Sequence, residues 1–365
     1  MWNNTKRVLE EACIDITLVK TEYKNHAYDY TLKADLSDCN GIICVSGDGI
    51  IHEVVNALFH RNLEGGEEGS FVPNDIPVGF IPAGSGNGLA KSICLYSGEQ
   101  YSIENCAYIC TQGQTKLIDI MEVELKSKDK PVYSFHSVEW GFISDVNLES
   151  EPCRCCGDMR YTFYSMWRIC CLCTRKYYAS ASYLPIPIPI SHSPEKNNNK
   201  NNLENNPLNL NTYENIKITD ELPKEFISQN NEFRSIWAIN IPWMTKDIQT
   251  PSKLDDGQIG VFYIKGGRCQ LIKLLSKKDI NTNFDEDGKV KKGLGLEYAK
   301  TKNFRFIPKT RLNEDDSVAL NNRFENQYIS IDGERFVIEP FQIKIRKAGL
   351  KVFCFNTGDI ENDKN

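Results

Sequence analysis

Two glycine-rich segments hold the residues best suited to chemistry, Ser46-Gly47-Asp48-Gly49 and Pro82-Ala83-Gly84-Ser85-Gly86-Asn87. Phosphate needs several N–H donors at close range, and glycine lets the backbone approach because it lacks Cβ and tolerates positive φ. Gly84, Gly86 and Gly88 meet that need. A helix beginning at Gly88 adds unpaired N–H groups and a positive dipole end, so an anion fits over Ser85 to Gly88. Asp48 stands between two glycines, where a carboxylate reaches a substrate with little steric hindrance. It is the candidate general base, taking the proton of an attacking hydroxyl while the loops and magnesium hold nucleotide phosphates in line. Its competing role is to cap the next helix. Neither segment completes a Walker A loop or a Gly-x-Gly-x-x-Gly fingerprint.

Strands and helices must position these turns. Gly41 to Val45 is a short apolar run of the kind buried on both faces of a parallel sheet. After the first turn Ile50, Ile51, Val54, Val55, Leu58 and Phe59 fall on one helix face. The pattern recurs with a strand at Pro77 to Ile81 and a helix from Gly88 to Leu95. In consecutive parallel strands both turns open at the carboxyl edge, where α/β ligands bind. Upstream, the pattern predicts helices over Thr5–Ala12 and His26–Ala34 and a strand over Ile14–Val19.

Residues 1–113 therefore read as α/β with a parallel sheet. From Lys116 the texture changes to strand-like runs at Lys116–Leu125, Val132–Val138, Ser235–Asn240, Gly260–Ile264, Phe304–Ile307 and Tyr328–Ile331. Residues 114–358 read as a larger, mainly antiparallel β domain with a helical insertion over 158–178 and a disordered, Asn-rich loop over 194–215. A length of 365 residues fits two cores. The formal charge of -6 argues against a general nucleic-acid binder. No run of about 18 apolar residues and no signal peptide is visible, which predicts a cytoplasmic protein with its 14 cysteines kept as thiols.

The segments Val45 to Asn56 and Ile81 to Ala90 resemble the diacylglycerol kinase-like catalytic domain, nearest to its sphingosine kinase branch. Thr21 to Ala27, Trp140 to Glu151, Gly157 to Tyr161 and Ile331 to Glu334 carry the same resemblance, so it spans most of the chain. It implies an active site in the cleft between an α/β and a β domain, ATP and Mg2+ as cofactors, and transfer of the γ-phosphoryl group to the primary hydroxyl of sphingosine or a related base. Asp48 would be the base within the turn of Ser46, Gly47 and Gly49. Gly84, Ser85, Gly86 and Asn87 would bind nucleotide phosphate, Thr21, Glu22, Lys24 and Asn25 would hold the nucleotide, and Arg154 and Arg160 would contact phosphate. Asp332, Gly333 and Glu334 match another nucleotide-side element.

On the lipid side the resemblance points to Asp145, Asn147, Phe142, Ile143, Val146, Tyr161 and Ser165, and the apolar residues Met159, Phe163, Met166, Trp167 and Ile169 offer further wall for an acyl channel. Asn147 stands where the family has its substrate aspartate, so amine recognition weakens or falls to Asp145. The family's amino-terminal strand and Asn-Pro turn precede the point where this sequence starts. Expected partners are a sphingoid lipid, a membrane in transient peripheral contact and a second copy of the chain, without nucleic acid. The rival readings are a diacylglycerol or ceramide kinase, a catalytically impaired lipid-binding homologue and a nicotinamide-type kinase. Cys153 with Cys156 and Cys170 with Cys173 have the spacing of zinc pairs, and Cys170 to Cys173 also suit palmitoylation. His52, His136, Glu53, Glu149 and Glu151 read as structural by default, the glutamates having magnesium support or arginine orientation as their other role.

Overall fold

The computed structural model describes residues 2–65, 71–157, 159–170, 175, 177–186, 213, 216–267, 271–272, 290, 295–309 and 327–355. In chain order the amino-terminal elements are α1 (Trp2–Glu11), α2 (His26–Lys33), β1 (Ile42–Ser46), α3 (Asp48–Gly65), β2 (Asn74–Pro82), α4 (Gly88–Tyr96) and α5 (Ile103–Thr111). Next come β3 (Thr115–Leu125), β4 (Val132–Ser134), β5 (Ser137–Gly141), α6 (Phe142–Glu149), a 3-10 segment (Glu151–Cys156) and α7 (Met159–Cys170). The remainder is β6 (Tyr177–Pro185), β7 (Ile227–Phe233), β8 (Ser235–Ile239), β9 (Ile259–Ile264), β10 (Leu296–Lys309), β11 (Tyr328–Ile331), β12 (Glu334–Val337) and β13 (Phe341–Phe353).

The fold is α/β plus β. β1 and β2 pair in parallel, Ile42 opposite Val78 through Ser46 opposite Pro82, so both glycine turns leave the same sheet edge. α3 buries Ile51, Val54, Val55 and Leu58, the i, i+3, i+4, i+7 face of an amphipathic helix, in a core shared with Val78, Phe80, Leu350 and Val352. The antiparallel strands carry two further cores, one around Trp140, Phe306 and Ile343 and one around Trp237, Phe262 and Phe142 beneath α6 and α7.

Sheet pairing runs continuously from β1 to β12 through β13. The carboxyl half of β13 lies parallel to β2, Leu350 opposite Asn74, and its amino half lies antiparallel to β10, Phe341 opposite Phe306. No clean break in the sheet follows residue 113.

Several local expectations need correction. Ile14–Val19 forms no strand: Leu18 is 50% exposed, Val19 is 37% exposed, and the segment enters no ladder. Val132–Val138 is two strands, separated by Phe135 and His136. The insertion helix ends at Cys170, and Tyr177 and Tyr178 already belong to β6. The Asn-rich loop, apart from Tyr213, and Cys171 and Cys173 lie outside the described residues.

Candidate active site

The turns after β1 and β2 pack against each other through their glycines. A Cβ on Gly84 would fall 2.5 Å from Gly47 Cα, and a Cβ on Gly86 would fall 2.6 Å from Asp48 Oδ2. Those are overlaps that only glycine avoids at these positions. Ala83 N also donates to Ser46 O at 2.9 Å, which locks one turn onto the other.

Asp48 is the first residue of α3, but its side chain turns to the second glycine turn and makes no capping bond to α3 among the described residues. Its Oδ2 accepts the Asn87 N–H at 3.2 Å, while Oδ1 is enclosed and has no hydrogen-bond partner among the described residues. Burial pushes the carboxyl above its ordinary range; nearby His136 and the Asn87 N–H pull it back only in part. A carboxylate held by one oxygen and unpaired at the other is equipped to accept a proton.

Asn87, in the left-handed region at φ 54, closes the second turn from within. Its Oδ1 accepts the Gly84 N–H at 3.0 Å and its Nδ2 donates to Gly84 O at 2.5 Å. The Gly84 amide expected to face phosphate is therefore given to Asn87. The Ser85 and Gly86 amides make no hydrogen bond to a described residue, and with the amino terminus of α4 they form the cradle that remains.

A third turn arrives from the antiparallel half. Asp332 (φ 51) and Gly333 (φ 86) form the two-residue loop between β11 and β12, the positive-φ pair that suits a tight hairpin. The Asp332 carboxylate is consumed internally: Oδ2 meets His52 Nδ1 at 2.9 Å, and Oδ1 accepts Ser134 Oγ at 2.7 Å and His136 N at 3.0 Å. It fixes the hairpin against α3 and holds no position free for ligand. Glu334 faces the cleft, with Lys24 Nζ at 2.8 Å from Oε2 and Oε1 beside Gly49.

Thr21, Glu22, Lys24 and Asn25 lie exposed on the loop before α2. Glu53 accepts the Asn25 and Ala27 N–H groups at 2.9 and 3.0 Å, so it caps α2 and places this loop; both oxygens are used, which removes it from a magnesium role. Thr21 to Asn25, Ser46 to Gly49, Ala83 to Asn87 and Asp332 to Glu334 thus come together through α3, Lys24 and Glu334.

Arg160 is not brought to them. It is buried in α7, with Nη1 3.2 Å from Glu151 and Nη2 2.5 Å from the Tyr161 hydroxyl, and its Nε has no partner among the described residues. It lines a cavity of about 340 Å3 with Cys153, Cys156, Phe163, Tyr164 and Trp167. Arg154 sits on the 3-10 segment, and its side chain lies outside the described residues.

On the lipid side Phe142 and Val146 are buried in the core under α6 and α7, with Ile143 and Tyr161 packed against it, and Ser165 is half-buried. Asp145 cannot stand in for the missing aspartate. Arg168 at 3.1 Å, Arg175 at 3.0 Å and the Tyr177 hydroxyl already engage its Oδ2. Glu149 is likewise paired with Arg168. Met159, Phe163, Met166 and Trp167 do not line an interior channel, being 47–60% exposed on the outside of α7, whereas Ile169 is buried.

Asn147 holds the residue that sequence reasoning missed. Its Nδ2 lies 3.3 Å from both Glu139 Oε2 and Ser330 Oγ. Glu139 is a buried carboxylate on β5, and the signal for it was an acidic residue inside the otherwise apolar run Val138 to Phe142.

Among the described residues no cluster of three or more His, Cys, Asp or Glu side chains is arranged to hold a metal ion. Magnesium brought in on nucleotide phosphates needs only one or two protein carboxylates. Glu334, whose Oε1 lies beside Gly49, fits that lesser demand and leaves Asp48 Oδ1 to the proton. No helix among the described residues is long and apolar enough to cross a membrane.

The chain is similar to known proteins in sequence and in fold. Residues 1–123 match the family model for the diacylglycerol kinase catalytic domain. The chain is 28% identical over 317 residues to sphingosine kinase 1 of Arabidopsis thaliana, covering 86% of this chain and 62% of that protein, so it spans about three fifths of that relative. It is 27% identical over 350 residues to sphingosine kinase 1 of Rattus norvegicus, covering 93% and 82%. With sphingosine kinase 1 of Homo sapiens it shares 35% identity over 189 residues, 50% of this chain and 47% of that one. Its fold is similar to that of a putative diacylglycerol kinase from Bacillus anthracis str. Sterne, at a TM-score of 0.59 and 14% identity over 95% of this chain and 89% of that one.

Proposed function

We propose that this chain, whose residues 1–123 belong to the diacylglycerol kinase catalytic domain family, is an ATP-dependent lipid kinase that phosphorylates the primary hydroxyl of sphingosine or a close sphingoid base. The observation that carries the reading is Asp48, with Oδ2 fixed by the Asn87 amide and an enclosed, unpartnered Oδ1 between two interlocked glycine turns. Oδ1 accepts the proton of the lipid hydroxyl as its oxygen bonds to the γ-phosphorus and the bond from that phosphorus to the β,γ-bridging oxygen breaks, with ADP leaving. The Ser85 and Gly86 amides and the amino terminus of α4 bind phosphate oxygens, and the Thr21 to Asn25 loop with Glu334 borders the nucleotide side. Magnesium bound with ATP would neutralise phosphate charge. Similarity to sphingosine kinases along most of the chain supports a sphingoid acceptor over diacylglycerol or ceramide.

The exposed apolar side chains of α7 support transient membrane contact by the lipid-binding half, which gives the enzyme access to a bilayer-dissolved substrate.

The test is a lipid panel with labelled ATP, run on the wild type and on D48N. The expected result is phosphorylation of sphingosine and a fall in kcat of about 100-fold or more in the variant, the scale of general-base catalysis. Near wild-type turnover by D48N removes Asp48 from the base role, and phosphorylation of diacylglycerol but not sphingosine overturns the substrate.

A further inference from the structure

A row of side chains crossing the antiparallel half has one charged end and one aromatic end. Ser330 on β11, Glu139 on β5, Trp237 on β8, Phe262 on β9 and Tyr298 on β10 are successive cross-strand partners. Directly opposed residues of antiparallel strands turn to the same face. At about 4.8 Å per strand the row spans about 19 Å. The Phe262 and Tyr298 rings lie 4.7 Å apart, and Phe142 and Val146 of α6 pack in the same cluster. An amphiphile with a charged head and a hydrocarbon tail has the same polarity profile.

At the charged end Glu139 is 3% exposed. It accepts Ser137 Oγ at 3.1 Å and Asn147 Nδ2 at 3.3 Å, and it pairs with no cation among the described residues. Holding a carboxylate out of water without a counter-ion is costly. The nearest group able to carry positive charge is His136, reached only through Ser137: Nδ1 lies 2.7 Å from Ser137 Oγ, and Nε2 donates to Met244 O at 2.6 Å. Directly opposite Glu139, Trp237 Nε1 is a buried donor with no hydrogen-bond partner among the described residues. Among the described residues, a buried carboxyl group without a counter-ion and an unused N–H therefore share one face at the head of an apolar row.

We propose that Glu139 selects the acceptor lipid, its carboxylate pairing with the ammonium group of a long-chain amino alcohol. Trp237 Nε1 donates to a hydroxyl oxygen of the same head group, and the chain runs along Phe262 and Tyr298. Asn147 orients Glu139 through its amide and leaves the charge to it. The assignment rests on the lipid-kinase reading above and locates the specificity of that site.

Steady-state kinetics with sphingosine on the wild type, E139Q and E139Q/N147D test it. E139Q keeps the shape and hydrogen-bonding capacity of the side chain but removes its charge. The expected result is a KM for sphingosine raised about thirtyfold, as for loss of one member of a buried charge pair, with kcat within about threefold and an unchanged melting temperature. E139Q/N147D, which returns a carboxylate to the adjacent position, should recover most of the loss. An unchanged KM in E139Q overturns the proposal, and so does a fall in kcat and melting temperature without a rise in KM, which marks a structural partner of His136. A wild type that phosphorylates no lipid defeats the kinase reading alone. Equilibrium binding of labelled sphingosine then decides for Glu139, with weaker binding by E139Q supporting it and equal or absent binding by both forms overturning it.

Discussion

Asp48 does two jobs with two oxygens, and its environment makes the division visible in pH dependence. Because burial raises its carboxyl pKa, the base form is gained at a higher pH than for an ordinary aspartate near about 3.9. The acidic limb of kcat/KM should therefore lie above the usual carboxylate range, and a limb at about 4 in a pH–rate profile contradicts the assignment. The same shift sets a stability effect. A carboxyl whose folded pKa is raised contributes stability fully below its unfolded value and loses it as pH rises through the folded one. Ionised Asp48 therefore weakens the fold at neutral pH. D48N should unfold at higher denaturant than the wild type at pH 7, and this gain should vanish below about pH 4, where Asp48 is protonated in both the folded and unfolded chain. Asp48 was legible in the sequence because glycines flank it. The role of Asp332 was not: its partners His52, Ser134 and His136 are 280, 198 and 196 positions away, and nothing local marks them as one network.

At the scale of elements, the turn after β2, proposed to bind phosphate, is held shut by a side chain rather than by its glycines alone. Asn87 supplies both a left-handed backbone and two hydrogen bonds to Gly84. Asn87→Gly keeps the first and removes the second, whereas Asn87→Ala removes both. The expected order of stability is wild type above N87G above N87A, with about 1 kcal/mol between the last two, measured by chemical denaturation. If the two variants are equally stable, backbone conformation is not what Asn87 contributes. Strand–turn–helix units with 3.6-residue periodicity, such as β1 to α3, were readable because burial on one face leaves that period. Ile14–Val19 carried a strand pattern without a neighbouring ladder to satisfy its backbone, and the long-range pairing that decides such cases leaves no local trace. β13 went unread for the opposite reason, because Lys344, Arg346 and Lys347 interrupt its apolar residues and hide a strand that pairs along both halves of the molecule.

For the whole molecule, β13 joins two chemistries. Leu350, fully buried, sits opposite Asn74 of the parallel sheet and Ile118 of β3, while Ile343 lies in the antiparallel core beside Phe304 and Phe341. One continuous strand in both cores couples their stabilities. Thermal unfolding followed by tryptophan fluorescence in W2F/W167F/W243F, which keeps only Trp140 and Trp237 in the antiparallel half, should coincide with unfolding followed by loss of nucleotide binding in the other. L350A, made in the nucleotide half, should lower both transitions together at a cost of about 2–5 kcal/mol. Two separated transitions, with only one moved by the substitution, would show that the halves unfold independently.

The position of β13 in the chain also imposes an order on folding. β1 and β2 are adjacent in space early, yet the strand that covers β2 on its other side comes from residues 341–353 of a 365-residue sequence. Loop closure over so many residues is slow compared with local helix formation. On the ribosome, where residues emerge at about 5–20 per second, the glycine turns after β1 and β2 wait for β13 to be made before their sheet is sealed. Until β13 arrives, the unpaired edge of β2 is a surface for chaperones to hold.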